Sequence, residues 1–269
     1  MRDKLRRFLP IPLLAVACLY TYKLEIPETH AYAAVGINGL SATTQNGAIS
    51  VTASQDAVIT VDVMKHAYGR DQADAEKAIA NVVYGDTIVG NELRIRTDMP
   101  GGNRPYGASY TITAPDSTDL SLSTTNGDIA VASMVGDINA GTSNGNVELT
   151  GTAGTASVST TNGRLTVSVH RGPLYGATTN GAVDCDLAAL GPNEDVGLAT
   201  TNGKVTLFLP EGISAVIEAT NTNGILAIYD FTVTYDTQTE HYVKARIGSG
   251  ASSITITTTN GDVVVRSRS

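Results

Sequence analysis

The sequence repeats one short phrase, in which an Asn-Gly step follows a threonine and precedes alternating apolar residues. STTNGDIAV, GTSNGNVEL, STTNGRLTV, ATTNGAVDC and ATTNGKVTL follow one another between positions 123 and 207. The Asn-Gly steps at Asn126, Asn144, Asn162 and Asn180 are evenly spaced, and those at Asn202 and Asn223 follow at slightly longer intervals. A period of about 20 residues is typical of repeat proteins, in which each unit buries its apolar face by stacking on its neighbours.

Eight Asn-Gly steps are the predicted tight turns of this repeat. Glycine is expected after each asparagine because it tolerates a positive φ at a sharp turn. The predicted turn residues are Asn46, Gly47, Asn126, Gly127, Asn144, Gly145, Asn162, Gly163, Asn180, Gly181, Asn202, Gly203, Asn223, Gly224, Asn260 and Gly261.

The residues around each turn alternate in polarity with a period of two. Apolar side chains stand two and four residues after each glycine, which predicts a strand with one buried and one exposed face. Two residues before the asparagine the sequence has Thr in seven of the eight repeats. Strict alternation would direct this Thr and the Asn inward, where stacking like residues on like would pair their polar groups.

These patterns predict an all-β, single-domain parallel β-helix or β-solenoid built from rungs of about 18–22 residues. Right-handed coiling follows from the rule for parallel crossovers. Asn-Gly between alternating strands also fits an antiparallel meander of hairpins. The solenoid is favoured because only this fold requires the same residue type to stack at the same position of successive rungs. An outer-membrane barrel is disfavoured, because a chain with no Trp and three Phe lacks the aromatic girdles that such barrels have at both membrane interfaces.

Two segments interrupt the repeat. Residues 65–83 have apolar residues at helical spacing and predict a short helical insertion near residues 70–83, followed by a strand at 93–97. Residues 229–252 predict a strand-rich insertion before the last repeat.

The N-terminus has the pattern of a secretory signal. Four basic side chains precede a short apolar run that ends near Tyr20. The segment LLAVAC resembles a lipoprotein box, which would make residues 1–17 the signal and Cys18 the lipidated first residue. The alternative is ordinary cleavage near residue 33, after Ala31-Tyr32-Ala33. The predicted linker is 18–34, and the predicted solenoid is 35–269.

The chain is acidic, with a formal net charge of −8. Removing residues 1–17 takes away four basic side chains and one acidic side chain, which leaves −11. Nucleic-acid binding depends on Lys and Arg that neutralise phosphates. We therefore expect no nucleic-acid partner.

No residue pattern predicts catalysis, a cofactor or a metal. Cys185 occupies a column of apolar residues and is expected in the core. The four histidines show no metal-ligand spacing, and Asp184 and Asp186 lack the nine-residue repeat of calcium-binding β-helices. The chain is predicted not to be an enzyme.

One outward column of hydroxyl groups precedes the asparagines, and its regular spacing suggests a surface for a repeating polymer. Threonine also favours exposed strand positions without any ligand. The column consists of Thr125, Ser143, Thr161, Thr179, Thr201, Thr222 and Thr259.

The motifs also resemble those of a known family. A first NGxIxV turn, a helical insert, GNELRIRT, SYTITAPDSTDLSLSTTNGDIAV and the closing SSITITTTNGDVVV resemble the bacterial putative-adhesin domain family of unknown function, also called the Toast-rack domain. The resemblance covers residues 35–269. It implies a single β-solenoid outside a bacterial membrane, with a role in adhesion, scaffolding or envelope-stress sensing, and it implies no catalytic residues.

The preferred functional hypothesis is a non-enzymatic envelope protein for interaction, adhesion or scaffolding, whose partner is a surface polymer or protein. Attachment to the membrane would run through lipidated Cys18. Alternatives are an accessory domain for envelope-stress sensing and a polysaccharide-active β-helix enzyme. The enzyme would need clustered carboxylates along one face.

Overall fold

The computed structural model describes residues 21–99 and 106–268. The predicted signal and Cys18 lie outside the described residues. Within those ranges the chain is all-β, with 23 strands and one helix, and the strands form two large, mostly parallel sheets. This confirms the predicted fold class, and the handedness of the coil stays a prediction.

The strands, in chain order, are β1 (Tyr22–Ala33), β2 (Gly39–Thr43), β3 (Ile49–Ser54), β4 (Val58–Gly69), β5 (Val83–Val89), β6 (Glu92–Asp98), β7 (Tyr106–Pro115), β8 (Asp119–Asn126), β9 (Ile129–Ala132), β10 (Ile138–Asn144), β11 (Val147–Thr150), β12 (Ala156–Asn162), β13 (Leu165–Arg171), β14 (Leu174–Asn180), β15 (Val183–Ala189), β16 (Asp195–Asn202), β17 (Val205–Leu209), β18 (Ala215–Thr220), β19 (Leu226–Ile228), β20 (Thr234–Gln238), β21 (Tyr242–Ile247), β22 (Ser252–Asn260) and β23 (Val263–Ser267).

Each Asn-Gly turn joins two strands that belong to different sheets, and such a pair forms one rung. The strand before the turn lies in the first sheet, of order β20-β21-β18-β22-β16-β14-β12-β10-β8-β2-β6-β5. The strand after the turn lies in the second sheet, of order β1-β4-β7-β3-β9-β11-β13-β15-β17-β23-β19. Rungs about 4.8 Å apart therefore stack into a two-sided solenoid.

The central rungs stack in parallel and in register. Thr142 of β10 pairs with Thr160 of β12, and Asn144 pairs with Asn162. The same alignment of like residues extends from β8 to β16 and on to β22. The predicted stacking of like on like is confirmed, and a meander of hairpins does not describe these rungs.

The order of rungs in space differs from their order in the chain. The last rung, β22/β23, lies between β16/β17 and β18/β19. At the other end, β6 and β7 pair with β2 and β3 and continue the stack. After the two insertions, β6 and β7 pair with β2 and β3, and β22 and β23 pair with β16 and β17, which lie earlier in the chain.

Antiparallel strands cover both ends of the stack. β4 pairs with β7, and β1 pairs with β4 along its whole length. β5 pairs with β6, and β21 and β20 extend the first sheet beyond β18. In the second sheet the outermost strand at this C-terminal end is the three-residue β19.

The helix α1 (Gln72–Ile79) is shorter than the predicted segment 65–83, because β4 continues to Gly69. Asp71 caps the helix by accepting a hydrogen bond from the Asp74 backbone N–H at 2.8 Å. Its small residue Ala75 is buried toward the sheets. No helix in residues 21–99 and 106–268 has the length and apolar character needed to cross a membrane.

Residues 22–33, within the predicted linker, form the edge strand β1. Only four of its twelve side chains are partly buried, and the others, including Lys23 and Glu25, are exposed. An edge strand with one wet face has the polarity of a linker, so the sequence did not distinguish the two.

The core lies between the two sheets. The apolar columns after each turn are buried, except that Leu226 and Ile228 of the outermost strand β19 are only partly buried. Cys185 is 2% exposed, and burial raises the pKa of its thiol. It is the small core residue that its column predicted.

Candidate functional site

The turn asparagines form a continuous ladder of side-chain amides. Each donates from Nδ2 to Oδ1 of the asparagine in the adjacent rung at 2.7 to 2.9 Å, as Asn162 does to Asn144. At the end of the ladder Asn46 donates to the Tyr106 carbonyl. These side chains are mostly exposed at the corner between the sheets, where strict alternation had directed them inward. The ladder satisfies groups that would otherwise bind water.

The threonine two residues before each asparagine points inward as expected. Thr160 is buried and donates from Oγ1 to the carbonyl of Gly145, in the adjacent rung, at 2.8 Å. Five of the equivalent threonines make the same bond to the glycine carbonyl of the adjacent rung, and Thr44 donates to the Ala108 carbonyl at 2.8 Å. Because this hydroxyl is buried and hydrogen-bonded within the protein, it is not available to a ligand.

The turn glycines are required by lack of space more than by a positive φ. A Cβ at Gly163 would lie 1.9 Å from the Gly145 carbonyl oxygen, although φ of Gly163 lies outside the left-handed region. Gly224 combines a φ of +129° with a similar clash. The predicted reason therefore holds at Gly224 and not at Gly163.

The predicted outward column is exposed at every position. Its hydroxyl groups form no side-chain hydrogen bond with any other described residue. We call the outward surface of β8, β10, β12, β14, β16 and β22 the hydroxyl face. The column on this face, in spatial order, is Thr125, Ser143, Thr161, Thr179, Thr201 and Thr259, and Thr222 follows on the outermost rung.

The centre of the hydroxyl face is uncharged. The exposed residues of β10, β12 and β14 include no Asp, Glu, Lys or Arg. The outer surface of the second sheet differs, because it has Glu148 and an Arg164–Asp184 ion pair at 3.3 Å. In a chain of net charge −8, this neutral face favours an uncharged partner.

Tyr175 is the one aromatic residue on the central strands of the hydroxyl face. It is 45% exposed, and its ring leans over Gly197 of the next strand. Its column otherwise contains small polar residues and glycine, as at Ser157. The repeat pattern does not single out Tyr175, although an aromatic residue in a column of small polar residues is a signal visible in the sequence.

A shallow groove of about 500 Å³ lies at the end of the strands away from the Asn ladder, and its lining ends at Ser157, which pairs with Tyr175 of the next strand. It crosses the first-sheet strands β2, β8, β10 and β12. Its polar lining includes Glu92, Asp119, Asp137, Asn139 and Ser157.

The carboxylates considered for catalysis or calcium binding have structural partners. Asp186 pairs with Arg268 at 2.7 Å, as Asp184 does with Arg164. Asp128 accepts a hydrogen bond from the Asn146 backbone N–H in the adjacent rung. Among residues 21–99 and 106–268, no three His, Cys, Asp or Glu side chains are grouped as metal ligands would be.

His170 is fully buried at the corner opposite the Asn ladder. Its Nδ1 lies 2.9 Å from Thr152 Oγ1, and its Nε2 lies 3.3 Å from the Pro173 carbonyl oxygen. Burial lowers the pKa of His170, which favours the neutral imidazole. It is a core histidine without access to a substrate.

Comparisons with known proteins identify no family for this chain. No family model matches the sequence, and no curated protein matches it. Solved structures similar to it include a putative adhesin from Bacteroides fragilis, with 14% identity, a TM-score of 0.46 and coverage of 90% of this chain and 97% of the other. A putative cell adhesion protein from Clostridium sporogenes has 13% identity, a TM-score of 0.41 and coverage of 91% and 100%. With such TM-scores, neither likeness bears on function.

Proposed function

We propose that this chain is a non-enzymatic interaction protein of the bacterial cell envelope, which adheres to a surface polymer through its hydroxyl face. The observation that carries the proposal is the column of exposed Ser and Thr hydroxyls that the fold does not use. The equivalent buried hydroxyls, such as that of Thr160, are bonded to backbone carbonyls. The outward hydroxyls are free to bind something else.

The repetition of the surface favours a repeating partner. One exposed hydroxyl contributes little binding free energy, since water competes for it. Six aligned rungs present the same group about every 4.8 Å, and a polymer bound at one rung meets the next at high effective concentration.

A non-catalytic role is supported by the partners of the acidic residues. Asp184 and Asp186 lie in ion pairs with arginines, and Asp128 bonds to backbone. These three carboxylates are therefore engaged within the protein and are not free to act as the general acid and base of a polysaccharide-cleaving enzyme.

An envelope location through Cys18 is part of the proposal. Strand β1 begins at Tyr22, so lipidation of Cys18 leaves β1 whole, whereas cleavage after Ala33 would remove it. Incorporation of radiolabelled fatty acid in the wild type, lost in Cys18→Ala, is the expected result. Labelling that persists in Cys18→Ala would contradict lipidation at this residue.

The adhesion proposal is tested by binding of the mature chain to peptidoglycan, lipopolysaccharide and host matrix. We expect binding to at least one, and loss of about tenfold or more in affinity when Thr161, Thr179 and Thr201 are all replaced by Lys. The matched control places three lysines at exposed threonines of the second sheet, Thr52, Thr111 and Thr113. Equal binding by both triple variants would exclude the hydroxyl face.

A further inference from the structure

The groove beside Tyr175 has the polarity of a site for a hydroxyl-rich ligand. Asp119 and Asp137 each use one carboxylate oxygen to accept a backbone N–H from the adjacent rung, at 2.8 and 3.0 Å. Their second oxygens form no hydrogen bond with another described residue. Ser157 and Asn139 add groups that can donate and accept.

The charges of the groove disfavour an anionic ligand. Glu92, Asp119 and Asp137 line it, and no Lys or Arg does among the described residues. Glu92 is paired with Arg94 at 2.7 Å, whereas Asp119 and Asp137 have no ion-pair partner among the described residues, so a phosphate or carboxylate group would meet two uncompensated carboxylates. Neutral hydroxyl groups, in contrast, donate well to carboxylate oxygens.

Tyr175 adds an aromatic surface one strand beyond the Ser157 end of the groove. It pairs in register with Ser157, a lining residue, and therefore stands in the strand next to the groove. Its ring lies over Gly197, on the side away from Ser157, and Tyr175 remains 45% exposed. The electron-rich face of such a ring attracts C–H groups of partial positive charge, which a pyranose ring presents on its apolar side.

We propose that the groove and Tyr175 together bind a neutral polysaccharide, with one pyranose ring stacked on Tyr175 and the following sugars along Ser157, Asn139 and Ser121. This inference rests on the proposed adhesive function and names the chemistry of the polymer. The sugar chain would run across the strands, parallel to the solenoid axis, because the groove crosses β12, β10, β8 and β2.

The experiment is affinity electrophoresis of the mature chain in gels that contain neutral mixed-linkage β-glucan, mannan or xylan, or anionic alginate or heparin. We expect retardation by at least one neutral polymer and by neither anionic one. Tyr175→Ala should weaken the retardation about tenfold, whereas Tyr175→Phe, which keeps the ring, should stay within about threefold of wild type.

The matched control is Tyr235→Ala, because Tyr235 is 42% exposed but lies on β20, at one end of the stack. It should bind as the wild type does. A second variant, Ser157→Lys, should block the groove while leaving Tyr175 in place. Thermal unfolding of each variant establishes that it is folded.

The outcomes separate this inference from the proposed function. Equal retardation of Tyr175→Ala and wild type would overturn the role of Tyr175, and retardation by anionic polymers alone would overturn the ligand class. A dimer that Tyr175→Ala dissociates would assign the surface to a second copy of the chain instead. If the wild type binds in the envelope assay but is not retarded by any of the three neutral polymers, only this inference is overturned. If it fails in both assays, the proposed adhesive function is overturned as well.

Discussion

Around each Asn-Gly turn, four consecutive residues enter four different environments. Thr160 is buried and bonded to a carbonyl, Thr161 is exposed without a protein partner, Asn162 joins the amide ladder, and Gly163 packs against the next rung. Three of the four are fixed by the stack. Of these four residues, Thr161 is therefore the one whose substitution should reduce folding stability least, so its effect on binding can be measured most directly.

The glycine clash gives a prediction for stability. Gly163→Ala should lower the free energy of unfolding by about 3 kcal/mol, since a Cβ 1.9 Å from the Gly145 carbonyl oxygen forces two rungs apart. The control is Gly141→Ala on the hydroxyl face, where the atom nearest to the new Cβ is the end of the Ser159 side chain, at 3.3 Å. Urea unfolding measures both, and equal midpoints would contradict the close approach.

His170 gives a prediction for pH. Because burial lowers its pKa below the ordinary value of 6.5, the unfolded chain binds the proton more readily than the folded one. The contribution of His170 is therefore complete above about pH 6.5 and is lost as the pH falls toward its folded pKa. The midpoint of urea unfolding should fall between pH 7.5 and pH 5.0 by more in wild type than in His170→Gln. Parallel losses would show that other groups, such as His66, account for the change.

At the scale of elements, β1 consists of residues 22–33, which the alternative cleavage near residue 33 would remove. Its register with β4 runs from Tyr22–Gly69 to Ala33–Val58 without interruption. Near its end, the Tyr32 hydroxyl lies 2.8 Å from that of Tyr84 on β5, which is the edge strand of the other sheet. β1 thus covers β4 and helps to close the core between the sheets.

Deletion of residues 22–33 should destabilise the chain and promote association. The deletion leaves the long strand β4 as an open edge, and open edges pair with other chains. We expect a lower unfolding midpoint and oligomers in size-exclusion chromatography, compared with the full mature chain. A monomer with an unchanged midpoint would show that β1 is dispensable, and cleavage near residue 33 would then be compatible with the fold.

At the scale of the whole molecule, the solenoid behaves as a stack of nearly equivalent layers. Successive central rungs carry the same phrase in the same register, and each rung pairs only with its neighbours. Stability should therefore depend on the number of rungs more than on any one of them.

Removal of one whole rung should leave a folded, shorter protein. Deletion of residues 145–162 joins Asn144 to Gly163 and restores an Asn-Gly turn. We expect β-rich circular dichroism and a rod shorter by about 4.8 Å in small-angle scattering, with a reduced unfolding midpoint. Deletion of residues 145–153 is the control, because it removes β11 alone and breaks the alternation between sheets. A folded half-rung variant, or an unfolded whole-rung variant, would contradict the layered description.

The sequence by itself determined the repeat, the two strands of each rung, the buried columns and the outward hydroxyls. These features recur in each unit, and both the alternation along a strand and the spacing between successive Asn-Gly steps are local information. Strict alternation failed at Asn162, because a corner between sheets turns the chain away from the pleat of the strand.

Only the tertiary structure decided which distant segments pair. The insertion of β22/β23 beside β16/β17, the edge strand β1 and the place of Tyr175 next to the groove all depend on contacts between segments far apart in the chain. The local pattern of polar and apolar residues is the same for an edge strand such as β1 and for a linker. It is also the same whether an aromatic residue such as Tyr175 packs over a glycine or points into solvent. Only the assembled sheets distinguish these alternatives, because the pairing between rungs brings together residues that are far apart in the sequence.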